Sequence, residues 1–247
     1  MAYNKPVIKK LDWDSKFFGF NIGSCSGALL KGKGEEKFVK EFRRKKFDCV
    51  YIFCDEKNKI CAKLDKKKYL LPVGGHAEYE LTKNNWQRGK GWSKQDVRVF
   101  NQGEIKGSGL ASDVKFLSRD LAPISRFYKD SRFNPYVRDM YEVWADKIIR
   151  GKNSLMIINI KDDRVAGLVG CQLDKDVGHI ALVKTKKEFE GQGIASKLLD
   201  YAIEKLFARG AKKIIVVTQA NNEAAKKLYE RFGFKIKKIT NIHHWWR

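Results

Sequence analysis

The chain has 247 residues, 43% of them hydrophobic and only 4 of them proline, enough to bury one large core or two modest ones. No apolar run is long enough to span a membrane, and the opening MAYNKPVIKKLDWD lacks the apolar stretch of a signal peptide, so a cytoplasmic protein without membrane contact is expected. Lys and Arg number 51 against 29 Asp and Glu, a net charge of +22 that draws polyanions, yet the lysines are scattered with no dense stripe, and charge alone argues weakly for nucleic acid as the primary partner.

In chain order, LDWDSKFFGFNIGS near the start reads as a strand at WDSKFFGF whose rings pack into an N-terminal core. EEKFVKEFRRKKF (35–47) predicts a helix and CVYIFC (49–54) a buried strand. NKICAKLDKKKYLL (58–71) predicts a helix and HAEYELT (76–82) a strand. The polar, glycine-containing NNWQRGKGWSKQD (84–96) separates two patterned regions, suggesting units at 1–90 and 95–247. A strand at DVRVFNQ (96–102) precedes two helices within 112–150. Strands follow at SLMIINI (154–160), RVAGLVGCQL (164–173) and HIALVKT (179–185). A helix at about 194–209, a strand at KKIIVVTQ (212–219), a helix at NEAAKKLYERF (222–232) and a last strand ending IHHWWR complete the chain. Strands alternating with helices give an α/β class with a sheet that is at least partly parallel. Five cysteines (Cys25, Cys49, Cys54, Cys61 and Cys171) are an odd count without metal-ligand spacing; reduced, buried thiols and no metal site are expected.

Residues 54–71 superpose without gaps on 218–235, at an offset of 164. Asn58 falls on Asn222, Leu64 on Leu228, and Asp65 on Tyr229. If this is a repeat, the first copy has kept a scaffold and lost the chemistry; lysine-rich helices also resemble one another by chance.

EGQGIAS (190–196) runs into the amphipathic KLLDYAIEKLFARG. A helix N-terminus has N–H groups without internal partners and a partial positive charge, and a preceding glycine lets backbone approach an anion closely. The segment therefore reads as a pyrophosphate cradle. Ser196 stands where a dinucleotide fingerprint has its third glycine, and no G-K-[ST] of a P-loop is present. Two glycines also make an ordinary tight turn.

HIALVKTKKEFEGQGIASKLLDYA together with VVTQANNEAAKKLYERFGF resembles the acetyl-CoA-binding core of the GNAT superfamily of N-acetyltransferases. Gly193 and Ala195 match its turn motif, and Asn222 with Tyr229, seven residues on, match its later helix. The resemblance implies a GNAT acyl-CoA N-acyltransferase fold, a mixed sheet flanked by helices, and acetyl-CoA as co-substrate. It implies a cofactor site at Leu182, Val183, Lys184, Gly191, Gln192, Gly193, Ile194, Ala195, Ser196 and Asn222, and Tyr229 as general acid. Glu190 departs from the motif's Arg or Gln; Lys184, Lys186, Lys187 and Lys197 are candidates for the missing positive charge. The segments LDWDSKFFGFNIGS, DSRFNPYVRDMYEVWADKIIRG (130–151) and HHWWR (243–247) are similar to one branch, the TDP-fucosamine acetyltransferases. That branch has a smaller, degenerate GNAT-like N-terminal domain, matching the apparent repeat. It implies a nucleotide-diphosphate amino sugar as partner and cell-envelope polysaccharide biosynthesis as setting; a homodimer is compatible with it.

Acyl transfer to an amine needs a neutral nucleophile, a polarised carbonyl, a protonated leaving thiolate and positioned substrates. A backbone N–H near Leu182 or Val183 is a candidate oxyanion donor. His179 is a candidate base. His243 and His244 alternate with the last strand, so only one is expected to see the acceptor. Arg132, Phe133, Tyr136, Tyr141 and Trp144 offer a cation and ring faces to that acceptor; Tyr141 and Trp144 also have ordinary helix spacing. Two other readings stand beside the amino sugar: a protein N-terminus or other small amine as acceptor, and a non-catalytic basic module that binds nucleic acid or senses CoA.

Overall fold

The computed structural model describes residues 8–30, 33–55, 70–89, 95–106 and 109–247. The predicted helix at 58–71, most of the first repeat copy and Cys61 lie outside or largely outside them. Ten strands make one sheet: β1 (Lys9–Lys10), β2 (Ile22–Ser26), β3 (Cys49–Asp55), β4 (Leu70–Thr82), β5 (Val97–Phe100), β6 (Ser154–Lys161), β7 (Arg164–Asp174), β8 (Val177–Thr185), β9 (Lys213–Gln219) and β10 (Lys235–Trp246). Their spatial order is β1-β2-β3-β10-β4-β9-β8-β7-β6-β5. Only β2–β3 and β8–β9 are parallel, and each of those pairs is joined through a helix, α2 (Lys33–Arg44) and α5 (Ile194–Ala208) respectively.

The 164-residue offset superposes strands as well as sequence: Cys49–Asp55 falls on Lys213–Gln219, and β4 falls on β10. The two copies exchange their last strands. β3 pairs with β10, β9 pairs with β4, and β4 and β10 pair with each other at the centre. The sheet thus runs unbroken across the polar stretch 84–96.

On one face of the sheet, α5 and α6 (Glu223–Arg231) cover a core that includes Tyr79, Leu198, Ile203, Ile214 and Phe232. On the other, α3 (Leu110–Ser118) and α4 (Val137–Arg150) bury Val114, Ile148 and Leu168. Between α3 and α4 the chain makes a series of short 3-10 turns over Arg119–Ile124, Arg126–Lys129 and Asn134–Tyr136. The four described cysteines are buried.

One local expectation is corrected. WDSKFFGF forms helix α1 (Asp12–Phe18), not a strand. Asp12 and Asp14 occupy its first turn, where they meet the positive end of the helix dipole, and Gly19 closes it in the left-handed conformation at φ 75°. The Ser15 hydroxyl donates to Leu11 O and accepts from Ile22 N, tying the helix to β2. Trp13 and Phe17, one turn apart, stack with centroids 5.1 Å apart, and Phe18 enters the core.

Candidate active site

β8 and β9 pair only from Val177–Ile180 against Lys213–Val216, although β8 continues to Thr185 and β9 to Gln219. A bulge drives them apart: Cys171 of β7 faces Ile180, the next residue, Gly170, faces Leu182, and Ala181 is left over. The strands diverge into a cleft of about 670 Å³. Backbone groups along its two edges need partners that the sheet does not supply.

At the wide end stands the glycine turn. Gly191 and Gly193 have φ of 78° and 76°, the left-handed region that favours glycine. Gly193 is the N-cap of α5, and no side chain caps that helix. The first intrahelical bond runs from Lys197 N to Gly193 O, so the N–H groups of Ile194, Ala195 and Ser196 precede the ladder. A Cβ built on Gly191 would meet nothing within 4 Å. These features fit a diphosphate.

Of the cofactor-site residues expected from the sequence, Val183, Lys184, Gly191, Gly193, Ile194, Ala195, Ser196 and Asn222 line this cleft, as does Tyr229. Leu182 packs its side chain into the core under α3 and α4. Gln192 turns to a neighbouring hollow, where its Oε1 accepts from Lys161 Nζ at 2.7 Å. Asn222 caps α6, its Oδ1 accepting from Ala225 N at 3.2 Å, which leaves its NH2 group for a ligand. Tyr229 is buried between the rings of Tyr79 and Phe234, and burial pushes its phenol well above the ordinary value. Its phenol therefore stays protonated throughout the physiological range.

Three of the four lysines expected to offset Glu190, all but Lys187, are themselves paired. Lys184 lies 3.3 Å from Glu190, Lys186 2.9 Å from Glu188 and Lys197 3.7 Å from Asp96. Replacing Glu190 by Gln should release Lys184 and lower the KM for acetyl-CoA about two- to fivefold, the usual size of one exposed charge near a helix N-terminus, with kcat unchanged. Steady-state kinetics at low ionic strength measures this.

Of the expected acceptor residues, only Tyr141 lines the cleft, joined there by Asp120, Leu121 and Ile124 from the 3-10 turns and by Gln219 from β9. Phe133 is fully buried among Phe18, Phe20 and Tyr51; Arg132 lies over the Trp246 ring at 4.7 Å; Trp144 packs on Trp13 and Tyr141; and Tyr136 is on the surface. Apart from Tyr141, the residues named from the three segments of the branch resemblance therefore meet beside the cleft rather than in it. Among the histidines, His179 sits opposite Ile215 in the part of β8–β9 that is still paired and does not line the cleft. His243 and His244 are 2% and 0% exposed, and neither lines the cleft.

His244 instead joins a buried polar cluster. Its Nδ1–H donates to Asp130 Oδ2 at 2.6 Å and its Nε2 accepts from Arg126 at 2.7 Å, while Trp246 donates to the same carboxylate at 2.8 Å. Burial alone would raise the Asp130 carboxyl, but the hydrogen bonds from His244 and Trp246 hold it below the usual range. Burial also pulls His244 down to about 4, against an opposing Asp130. Asp130→Ala leaves a buried imidazole and indole without their acceptor and should cost about 3–5 kcal/mol, read from the urea midpoint. Because the folded state disfavours protonating His244, the unfolded chain takes the proton first as the pH falls. Stability from this group is full above about pH 6.5 and is lost toward about 4. His76, also lowered to about 4 by burial, adds to the same acid loss, visible as a Tm falling between those limits.

The acetyltransferase (GNAT) family model matches residues 121–234, which contain the diverging strands, the glycine turn and Tyr229. N-alpha-acetyltransferase 30 of Schizosaccharomyces pombe is 30% identical over 130 residues, 51% of this chain and 84% of that relative. The chain belongs to the GNAT family. It is an N-acetyltransferase that uses acetyl-CoA as acetyl donor. The spore coat polysaccharide biosynthesis protein SpsD of Bacillus subtilis is 27% identical over 131 residues, covering 53% of this chain but only 45% of SpsD. A GCN5-related N-acetyltransferase from Sphaerobacter thermophilus shares the GNAT fold, with a TM-score of 0.56 at 15% identity over 90% of this chain and 72% of the other. No helix among the described residues is long and apolar enough to cross a membrane.

Proposed function

We propose that this GNAT acetylates the amino group of a nucleotide-linked amino-deoxy sugar of the dTDP-4-amino-4,6-dideoxyhexose type. The supporting observation is convergence. WDSKFFGF, DSRFNPY and HHWWR, far apart in sequence, build one buried cluster through Phe18–Phe133, Asp130–His244 and Phe20–Trp246, and that cluster backs the 119–129 turns at the cleft. The name of SpsD, a polysaccharide biosynthesis protein, points the same way.

In this reading the amides of Ile194, Ala195 and Ser196 bind the diphosphate of the donor, and the free edge of β8 at Val183 and Lys184 orients its arm. Acetyl-CoA supplies the activated acetyl group. Tyr229 Oη holds the proton needed by the departing sulfur, and a backbone N–H at Leu182 or Val183 stabilises charge on the carbonyl oxygen. The base is unassigned; a water is the simplest candidate. The likeness to N-alpha-acetyltransferase 30 supports a second reading, a protein N-terminus as acceptor. Family membership sets the non-catalytic reading aside. A thiol-release assay with acetyl-CoA across TDP- and UDP-amino sugars and N-terminal peptides decides: turnover of an amino sugar is expected, and turnover of peptides alone would establish the second reading.

A further inference from the structure

We propose that Arg126 and Lys129 form a phosphate subsite for the acceptor, set against Gly74 and His76 of β4 at the far end of the cleft. This rests on the nucleotide-sugar reading and adds the group of the acceptor that is held, and where.

Arg126 is 7% exposed, yet it is clamped by aromatic faces rather than by a carboxylate. Its guanidinium carbon lies 4.3 Å from the Tyr51 ring centroid and 3.9 Å from that of Phe127. One of its amino groups is engaged by His244; no other hydrogen bond to its five-donor fork is formed among the described residues. Asp14 of α1 is felt electrostatically but makes no ion pair with it. The Tyr51 hydroxyl is buried with no hydrogen-bond partner. A buried cation and a buried phenol, both short of acceptors, mark a place where oxygen atoms are wanted.

Lys129 is exposed and has no carboxylate partner among the described residues, unlike Lys184, Lys186 and Lys197 at the glycine turn. Its ammonium hangs over Gly74: a Cβ built there would meet Nζ at 3.1 Å and Gln219 Oε1 at 4.0 Å. Gly74 has φ 108°, a strand position kept bare of side chain. His76, two residues on and therefore on the same face, is paired across the ladder with Gln219, a residue that lines the cleft. Burial and Arg126 both keep His76 neutral, so it offers a hydrogen bond without adding charge. The 126–129 turn thus holds one cation, Lys129, over Gly74 and a second, Arg126, whose charge is felt at His76, next to Gln219 of the cleft. A phosphate gives both cations the oxygens they lack, with a bidentate match to the guanidinium.

The test is calorimetric titration of dTDP into the protein saturated with desulfo-CoA, which fills the first anion site. Wild type is expected to bind dTDP, and Lys129→Ala and Arg126→Lys each to bind it at least about tenfold more weakly, the loss of one charge-assisted contact. Lys129 is on the surface, so its variant keeps the fold; unchanged dTDP affinity in it, or no dTDP binding to wild type, overturns the subsite. The reading beneath is tested apart from this. If a TDP-amino sugar is turned over and Lys129→Ala leaves its KM unchanged, only the subsite fails. If no amino sugar is turned over, the nucleotide-sugar reading fails whatever dTDP does.

Discussion

Tyr229→Phe should lower kcat about a hundredfold or more while leaving acetyl-CoA affinity within about twofold. The substitution removes one oxygen from a side chain packed between Tyr79 and Phe234, and no hydrogen bond of that hydroxyl is formed within the described residues, so packing and stability should hold. What disappears is the proton at the end of α6. Burial keeps the phenol protonated far above neutral pH, so in wild type the acid limb of the rate profile cannot arise from Tyr229. Single-turnover kinetics separates the chemical step from binding. Unchanged kcat would remove Tyr229 from the mechanism.

The second large effect is expected at Gly193. A β-branched residue at φ 76° is strained by about 1–2 kcal/mol, and the chain relieves this by rotating the first turn of α5. That rotation turns the amides of Ile194 and Ala195 away from a shared anion. Gly193→Val should therefore raise the KM for acetyl-CoA about ten- to a hundredfold, with a much smaller change in kcat at saturation, because the amides bind donor and transition state alike. Isothermal titration of CoA gives the same ratio directly. A variant that binds CoA as tightly as wild type would show that the turn only caps a helix.

Most elements were legible because their cues are local. The period-2 strand at 213–219, the 3.6-period helix at 194–208 and the glycines between β8 and α5 each carry their signal within about fifteen residues. The WDSKFFGF error came from rings that suit either element; Ser15 and Gly19, which decide for a helix, act through contacts with β2 and a single left-handed residue. The pairing of β4 with β9 and of β3 with β10 is not legible locally, because it joins strands more than 130 residues apart. The 119–129 side of the cleft is illegible in the sequence because those turns have no period, and their residues acquire meaning only once β4 arrives beside β9 from the other half of the chain. Arg132 and Phe133 pair a cation with a ring, a pairing that serves Trp246 and the core here, while Arg126, four residues before Asp130, is felt at Tyr141, which lines the cleft. At the glycine turn Lys184 and Lys186 pair within the same stretch, with Glu190 and Glu188, and only Lys197 reaches outside it, to Asp96.

The claim beneath the whole account is that the amides following Gly193 hold the diphosphate of coenzyme A and so direct its sulfur to Tyr229. A crystal structure of the CoA complex tests it most directly. Phosphate oxygens within hydrogen-bond distance of Ile194, Ala195 or Ser196 N, with the sulfur within reach of Tyr229 Oη, are the predicted result; a diphosphate seated away from the turn, or a sulfur remote from that phenol, would contradict it.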